Sequence, residues 1–271
     1  MKMRAWFPVC LSFFVAAGAA AQAAKEPFQP YSGQPGKDVV WVPTPYALVE
    51  KMLDHAKVTP QDYVMDLGSG DGRNVIAAAK RGARALGVEF NADMVRLSRQ
   101  NAEKAGVADK AKFVEGDMFA ADISQATVLA LFLLPDNLRR LTPKFQALRP
   151  GTRLVMNGFP IPDWSPDETE QASGDCGNWC TSHLYIVPAQ VAGSWRLPQG
   201  LLVLEQSFQN VSGHLLSGKT KTPISEVQLR GDQFVFTAGS TKYSARVNGD
   251  TMTGEARSSN ATRFTATRVR G

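Results

Sequence analysis

Between residues 44 and 157, short apolar runs alternate with amphipathic stretches. In "VPTPYALVEKMLDHAKV", Leu48, Val49, Met52, Leu53 and Ala56 fall on one helical face. Thr44 is the expected cap of that helix and Pro45 its first turn, with Thr59-Pro60 closing the segment. Strands are then expected at 63–67, 84–90, 112–115, 126–134 and 152–157. Helices are expected at 74–81, 91–105 and 136–148, the first two stopped by Gly82 and Gly106 and the last kinked at Pro143. The stretch 126–134 is apolar throughout, as a central strand covered on both faces would be. This alternation predicts an α/β fold with a doubly wound parallel sheet over residues 44–188. From 189 to 271 the period changes to two, with Gly, Asn-Gly and Gly-Asp turns between the runs. That pattern predicts an antiparallel β domain, either a small sheet or a partly closed barrel leaning on the first unit.

The first 43 residues follow neither pattern. Lys2 and Arg4 precede an apolar stretch over 5–20, and Ala21-Gln22-Ala23 forms a small-residue cleavage site. Residues 1–23 therefore read as a signal peptide, with the mature chain beginning near Ala24 in a periplasmic or secreted location. A retained anchor is the competing reading, but the stretch is short and interrupted by Pro8. Residues 24–43 are rich in Pro, Gly and Gln and read as an extended arm. Cleavage at that point removes Cys10 and leaves Cys176 and Cys180 in "GDCGNWC". In an oxidising compartment these two most simply form a disulfide. A metal site made with His183 lacks a fourth ligand, so no metal is expected. His55 and His214 are read as structural. The net charge of +5 comes from scattered residues rather than a basic run and gives no reason to expect a nucleic-acid partner.

The candidate chemistry begins at "VMDLGSGDGRN", residues 64–74. A strand, a glycine loop and a helix N-terminus together present backbone N–H groups to a ligand at the carboxyl edge of a sheet. Here Gly68, Gly70 and Gly72 are evenly spaced, Asp66 ends the strand and Asp71 sits at the helix start. Acidic groups there suit a ligand carrying an amino group better than a pyrophosphate. The second strand ends near Glu89, a carboxylate placed to accept from both hydroxyls of a ribose. The third ends in Gly116-Asp117-Met118, where the aspartate can receive an adenine amino group while the methionine packs on the ring. Arg73 has three readings: a partner for a cofactor carboxylate, a partner for Glu89, or an exposed helix charge.

These three strand ends resemble those of the class I S-adenosylmethionine-dependent methyltransferases. "VMDLGSGDGR" is similar to their first motif, "GVEF" to their ribose-binding end and "EGDMF" to their adenine-side motif. The resemblance implies a Rossmann-like sheet, S-adenosyl-L-methionine as cofactor, and methyltransferase activity. It implies cofactor binding by Asp66, Gly68, Ser69, Gly70, Arg73, Glu89, Phe90, Asp117 and Met118, with Asp66 near the methionine amino end. More narrowly, Gly70 to Arg73, Glu89 to Asn91 and Phe159 to Trp164 resemble the mitochondrial lysine methyltransferases of the ATP synthase c subunit and the adenine nucleotide translocase. The overall arrangement is similar to exported bacterial methyltransferase-like proteins. The leader and the β-rich C-terminal part depart from the mitochondrial pattern.

Methyl transfer to an amine needs alignment and exclusion of water more than a dedicated base, so no catalytic residue is assigned. Leu134 and Pro135 at the fourth strand's end, and Phe159, Asp163 and Trp164 after the fifth, are the candidate acceptor walls. The fourth strand's end, Phe132-Leu133-Leu134-Pro135-Asp136, lacks the polar residue that orients a planar amine on a base. A protein lysine or a small amine is therefore the expected acceptor, with an envelope-associated protein as one candidate partner. Because the cofactor is made inside cells, an exported non-catalytic binding protein on the same fold is the alternative. The retained Asp66, Glu89 and Asp117 favour the enzyme.

Overall fold

The computed structural model describes residues 1–2 and 28–269. The leader from Arg4 through Ala21-Gln22-Ala23, the expected mature start at Ala24 and the first residues of the arm lie outside the described residues. The arm folds into a small hairpin, β1 (Gln34–Pro35) and β2 (Val40–Trp41). Helix α1 (Tyr46–His55) follows, then β3 (Tyr63–Leu67), α2 (Arg73–Lys80), β4 (Arg84–Glu89), α3 (Ala92–Lys104) and β5 (Ala111–Glu115). After these come β6 (Val128–Leu131), α4 (Pro135–Gln146), β7 (Arg153–Asn157), β8 (Glu168–Gln171) and β9 (Thr181–Ile186).

These strands form one sheet in the order β5-β4-β3-β6-β7-β9-β8. The chain reverses direction of growth between β3 and β6, which places a crevice at the carboxyl ends of β3, β4 and β6. The first five strands are parallel, as expected; β9 and β8 add antiparallel pairs that the sequence pattern did not indicate. Alternate residues of the central strands feed two different cores. Val64, Val128, Ala130 and Val155 face α1, α2 and α3, while Met65, Leu67, Leu129, Leu131 and Met156 pack against Leu138, Leu141 and Phe145 of α4. A strand buried on both faces has no polar alternation, which explains the unbroken apolar run. Helix α4 runs on through Pro143, with Thr142 Oγ1 donating to the Leu138 carbonyl.

Thr44 does not cap α1. Pro45 occupies the cap position without a side-chain bond, and Thr44 Oγ1 instead accepts from Asn157 Nδ2 at 3.1 Å. Asn157 is buried at the end of β7, so its amide needs a protein partner more than the solvent-facing helix end does.

Beneath the sheet, at the opposite end from the crevice, Asp62 gathers four donors. Its Oδ2 accepts from Thr59 N at 2.8 Å and Thr59 Oγ1 at 3.0 Å. Its Oδ1 accepts from Thr127 Oγ1 at 2.7 Å and from Arg153. Burial pushes this carboxyl up, but the Thr127 and Thr59 hydrogen bonds and the Arg153 charge outweigh it and hold it below its ordinary value. Stability from a depressed carboxyl is present above the unfolded pKa, about 4. It is lost as pH falls through the folded value. Asp62→Ala is expected to cost about 3 kcal/mol at pH 7. Thermal melts should show that difference narrowing below about pH 4.

The C-terminal strands close completely, where a small sheet or partly closed barrel was expected. β10 (Gly193–Leu197), β11 (Gly200–Ser207), β12 (Asn210–Ser217), β13 (Thr220–Arg230), β14 (Gln233–Ala238), β15 (Thr241–Asn248), β16 (Thr251–Arg257) and β17 (Ala261–Arg268) form an up-and-down barrel. Closure is by Trp195↔Arg268 and Arg196↔Thr267. Its interior is filled by side chains such as Trp195, Phe234, Phe236, Tyr243, Met252 and Phe264. The barrel rests on the sheet unit through Phe208, which stacks on Trp164 at 4.9 Å, and through the Arg230–Glu168 ion pair.

Candidate active site

The loop after β3 is fixed to the neighbouring strand by its own backbone. Gly68 N and Ser69 N both donate to the Val88 carbonyl in β4, at 2.8 and 3.1 Å. Gly70 and Gly72 have positive φ, and each is also required sterically. A Cβ at Gly70 would stand 2.5 Å from Trp41 Nε1, and one at Gly72 would stand 2.6 Å from the Phe113 ring. The even glycine spacing thus admits the arm's indole on one side and β5 on the other.

The three strand-end carboxylates share the crevice. Asp66 is buried, and burial pushes its carboxyl well above the ordinary range; an Asn74 hydrogen bond at 3.1 Å opposes this, and the charges of Glu89 and Asp71 add to it. Glu89 accepts from Gly70 N through Oε2 at 3.0 Å and from Asn91 N through Oε1 at 2.8 Å. It therefore ties the glycine loop to the start of α3. Asp117 accepts from Lys37 Nζ and Phe119 N, and chiefly the Lys37 bond holds its carboxyl below the usual value. Lys37 also lies 4.7 Å from the centre of the exposed Phe90 ring.

A cleft of about 220 Å³ is lined by Asp66, Gly68, Ser69, Gly70, Arg73 and Glu89, among others. A smaller one of about 40 Å³ adjoins it, lined by Gly68, Glu89, Phe90, Asp117 and Met118. Every residue expected to bind cofactor therefore lines one or the other. Arg73 is not a partner of Glu89: its guanidinium grips Asp71, donates to the Thr44 carbonyl and stacks on Tyr46. Asp71 is two residues from Arg73, while Glu89 accepts instead from Gly70 N and Asn91 N.

The lining of the large cleft also includes Leu133, Leu134 and an aromatic cluster. Trp179 meets Phe132 at 4.9 Å and Phe159 at 5.4 Å, edge on, between ring centres. Leu134 and Phe159 line this cleft. Three other candidate walls do not. Trp164 is buried between Phe208 and Tyr185, Asp163 occupies an exposed turn with φ +64°, and Pro135 opens α4 outside the cleft lining.

Sequence reasoning missed Trp179 and the arm residues Pro35, Val39, Val40, Trp41 and Val42, which roof the cleft. The apolar run Val39-Val40-Trp41-Val42 within the arm and a tryptophan between two cysteines were the available signals. Cys176 and Cys180 are disulfide-bonded, with Cα atoms 5.1 Å apart. The alternative metal set with His183 is excluded by that bond; His183 instead meets Thr169 Oγ1 and the Gly158 carbonyl.

Residues 66–168 match the ANTKMT methyltransferase domain. Over 152 residues the chain is 43% identical to a protein-lysine N-methyltransferase of Saccharolobus islandicus, covering 55% of this chain and 94% of that one. The chain belongs to this family of S-adenosylmethionine-dependent protein-lysine methyltransferases. A crystal structure of an RNA methyltransferase from Salinibacter ruber with S-adenosyl-L-homocysteine is 44% identical, with a TM-score of 0.52. It matches 55% of this chain and 96% of its own. Both relatives are too short to hold the sheet unit and the barrel together. A lysine N-methyltransferase of the ATP synthase c subunit, from Rattus norvegicus, is 39% identical over 122 residues, 45% of this chain and 55% of that one. This chain therefore spans about half the length of that relative. The protein is an S-adenosyl-L-methionine-dependent methyltransferase, and its paired clefts have the acidic, glycine-rich lining that such a cofactor requires.

Proposed function

We propose that the protein methylates the ε-amine of a protein lysine, with the aromatic end of the large cleft as the acceptor site. The observation that carries this reading is the wall of Phe132, Phe159 and Trp179 beside Leu133 and Leu134. Aromatic faces attract an ammonium on entry, and a dry apolar lining lowers its pKa, favouring the neutral amine that attacks. The cofactor supplies a methyl group on an activated sulfonium, displaced in line. The chain's part is to hold the amine along that line and keep water out. The proton given up by the entering ammonium passes to solvent at the cleft mouth before attack, without an assigned base, and the product leaves as the methylated ammonium.

Within this reading Asp66 receives the cofactor's ammonium, Glu89 the ribose hydroxyls and Asp117 the adenine amino group, with Phe90 and Met118 on the ring. Lys37 leaves Asp117 when adenine arrives. Burial raises the Asp66 carboxyl in the free protein, and a cationic group favours its ionised form. Cofactor binding should therefore release a proton in the range where the free carboxyl is protonated. Affinity should fall as pH drops through the raised value. Calorimetric titration in two buffers of different ionisation enthalpy measures that proton directly, and Asp66→Asn should abolish it.

A second reading, transfer to RNA, is favoured only by the name of the Salinibacter ruber relative. Leu133-Leu134-Pro135 offers no side chain to orient a planar exocyclic amine. Incubation with methyl-labelled cofactor and either a lysine-rich polypeptide or bulk transfer RNA separates the two. Label on lysine supports the proposal; label confined to RNA overturns it.

Export is part of the proposal and rests on the leader pattern at residues 1–23. It makes an envelope-associated protein the acceptor and requires cofactor to be imported or carried out already bound. Peptide mass spectrometry of the envelope and secreted fractions should find a mature terminus near Ala24; a chain retaining residue 1 would refute export.

A further inference from the structure

At the β8 edge of the sheet, α1 ends against the hairpin β8–β9, and three ligating side chains meet there. His55, Glu168 and Glu170 bring one donor atom each within 4.8 Å of one another. Glu168 and Glu170 are two apart on β8, so both side chains leave the same face of that strand. His55 comes from the last turn of α1 and is buried, with 1% of its side chain exposed.

The imidazole is oriented from behind. Its Nδ1 lies 2.9 Å from Ser182 Oγ, and Ser182 is fully buried on β9. With the proton on Nδ1, the Nε2 lone pair points at the two carboxylates, the arrangement that metal-ligating histidines adopt. Among the described residues Nε2 has no hydrogen-bond partner, which is costly for a buried ring nitrogen. The facing oxygens stand at 3.7 Å (Glu168 Oε2) and 4.0 Å (Glu170 Oε1). That is too far for a hydrogen bond and close to the spacing of donors around one small cation. With bonds of about 2.0–2.2 Å, neighbouring ligands of a tetrahedral zinc stand roughly 3.4 Å apart.

We propose that His55 Nε2, Glu168 and Glu170 form a binding site for a divalent cation of the zinc class, with water completing the coordination. Each carboxylate is already held in place by a cation on its other oxygen: Glu168 by Arg230 of the barrel and Glu170 by Lys51 of α1. Those pairs keep both carboxyls below their usual range, hence ionised, and burial keeps the imidazole neutral. Neutral nitrogen with carboxylate oxygen is a donor set suited to zinc. A cation there joins α1 to β8 and, through Arg230, to the barrel. It also fixes the base of the hairpin whose far loop carries the Cys176–Cys180 bond and Trp179.

The test is titration of tag-free, chelator-treated full chain with Zn²⁺ against a chromophoric competitor, alongside thermal melts and the visible spectrum with Co²⁺. One Zn²⁺ per chain, a raised melting temperature and Co²⁺ ligand-field bands are expected. Glu170→Gln, on the partly exposed edge strand, should weaken binding at least about tenfold, and His55→Gln should remove stoichiometric binding and the Co²⁺ bands. If the buried His55→Gln variant fails to fold, Glu170→Gln with an intact circular dichroism spectrum decides. No saturable one-to-one binding, or binding unchanged in Glu170→Gln, overturns the proposal and leaves a water in the gap.

Discussion

Glu89→Ala should weaken S-adenosylhomocysteine binding about a hundred-fold, a loss of about 3 kcal/mol, while Asp163→Ala leaves it unchanged. The size follows from what one carboxylate does. It accepts from Gly70 N and Asn91 N, at 3.0 and 2.8 Å, and so sets the glycine loop and the start of α3 relative to each other. Its free lone pairs face the cleft, where the proposed role is to take the ribose hydroxyls. The alanine variant forfeits both functions and strands two backbone donors. Glu89→Gln keeps one acceptor oxygen and should fall between the two. Asp163 lies in an exposed left-handed turn outside both clefts, so its removal touches nothing the cofactor meets. Calorimetry on the three variants, with melts to check folding, decides the point. Equal effects at positions 89 and 163 would remove Glu89 from the site.

The crevice itself was legible because its parts are local. An apolar strand ending in a carboxylate, a glycine turn and a helix start are adjacent in sequence, and three such strand ends lie on neighbouring strands. What was hidden depends on chain returning from afar. Trp164 and Trp179 look alike in sequence, each in a polar, turn-rich stretch. The difference comes from β9, which runs antiparallel to β7 and brings the disulfide loop beside Gly158, where a Cβ would stand 3.0 Å from the Trp179 ring. Trp164 meanwhile is covered by Phe208 from the barrel, a contact no local pattern carries. Barrel closure was likewise unreadable. Eight alternating strands fit an open sheet as well as a closed one until β10 meets β17. Arm residues gave little periodic signal because they cover a cleft rather than a core.

Trp179→Ala should lower kcat/KM for a lysine acceptor roughly thirty- to a hundred-fold while leaving S-adenosylhomocysteine affinity within about twofold. The indole forms one side of the aromatic wall, and its two edge contacts with Phe132 and Phe159 hold those rings at their present tilt. Removing it forfeits a cation–π partner for the entering ammonium and lets water into the end of the cleft. The cofactor carboxylates lie elsewhere in the crevice, so the loss should be confined to the acceptor. The disulfide is what fixes the indole. Trp179 is the residue before Cys180, and its N–H donates to the Cys176 carbonyl at 2.9 Å within the loop that the bond closes. Cys176→Ser with Cys180→Ser, or reduction of the native protein, should reproduce part of the Trp179→Ala loss, about tenfold, because a loosened loop misplaces the ring rather than deleting it. Trp179→Phe should recover most of the activity, since an aromatic face remains. Steady-state kinetics with a lysine peptide, oxidised against reduced, reads all three. Unchanged kcat/KM in Trp179→Ala would move the acceptor away from this wall. A loss in cofactor affinity equal to the loss in kcat/KM would instead make Trp179 part of the crevice's general packing.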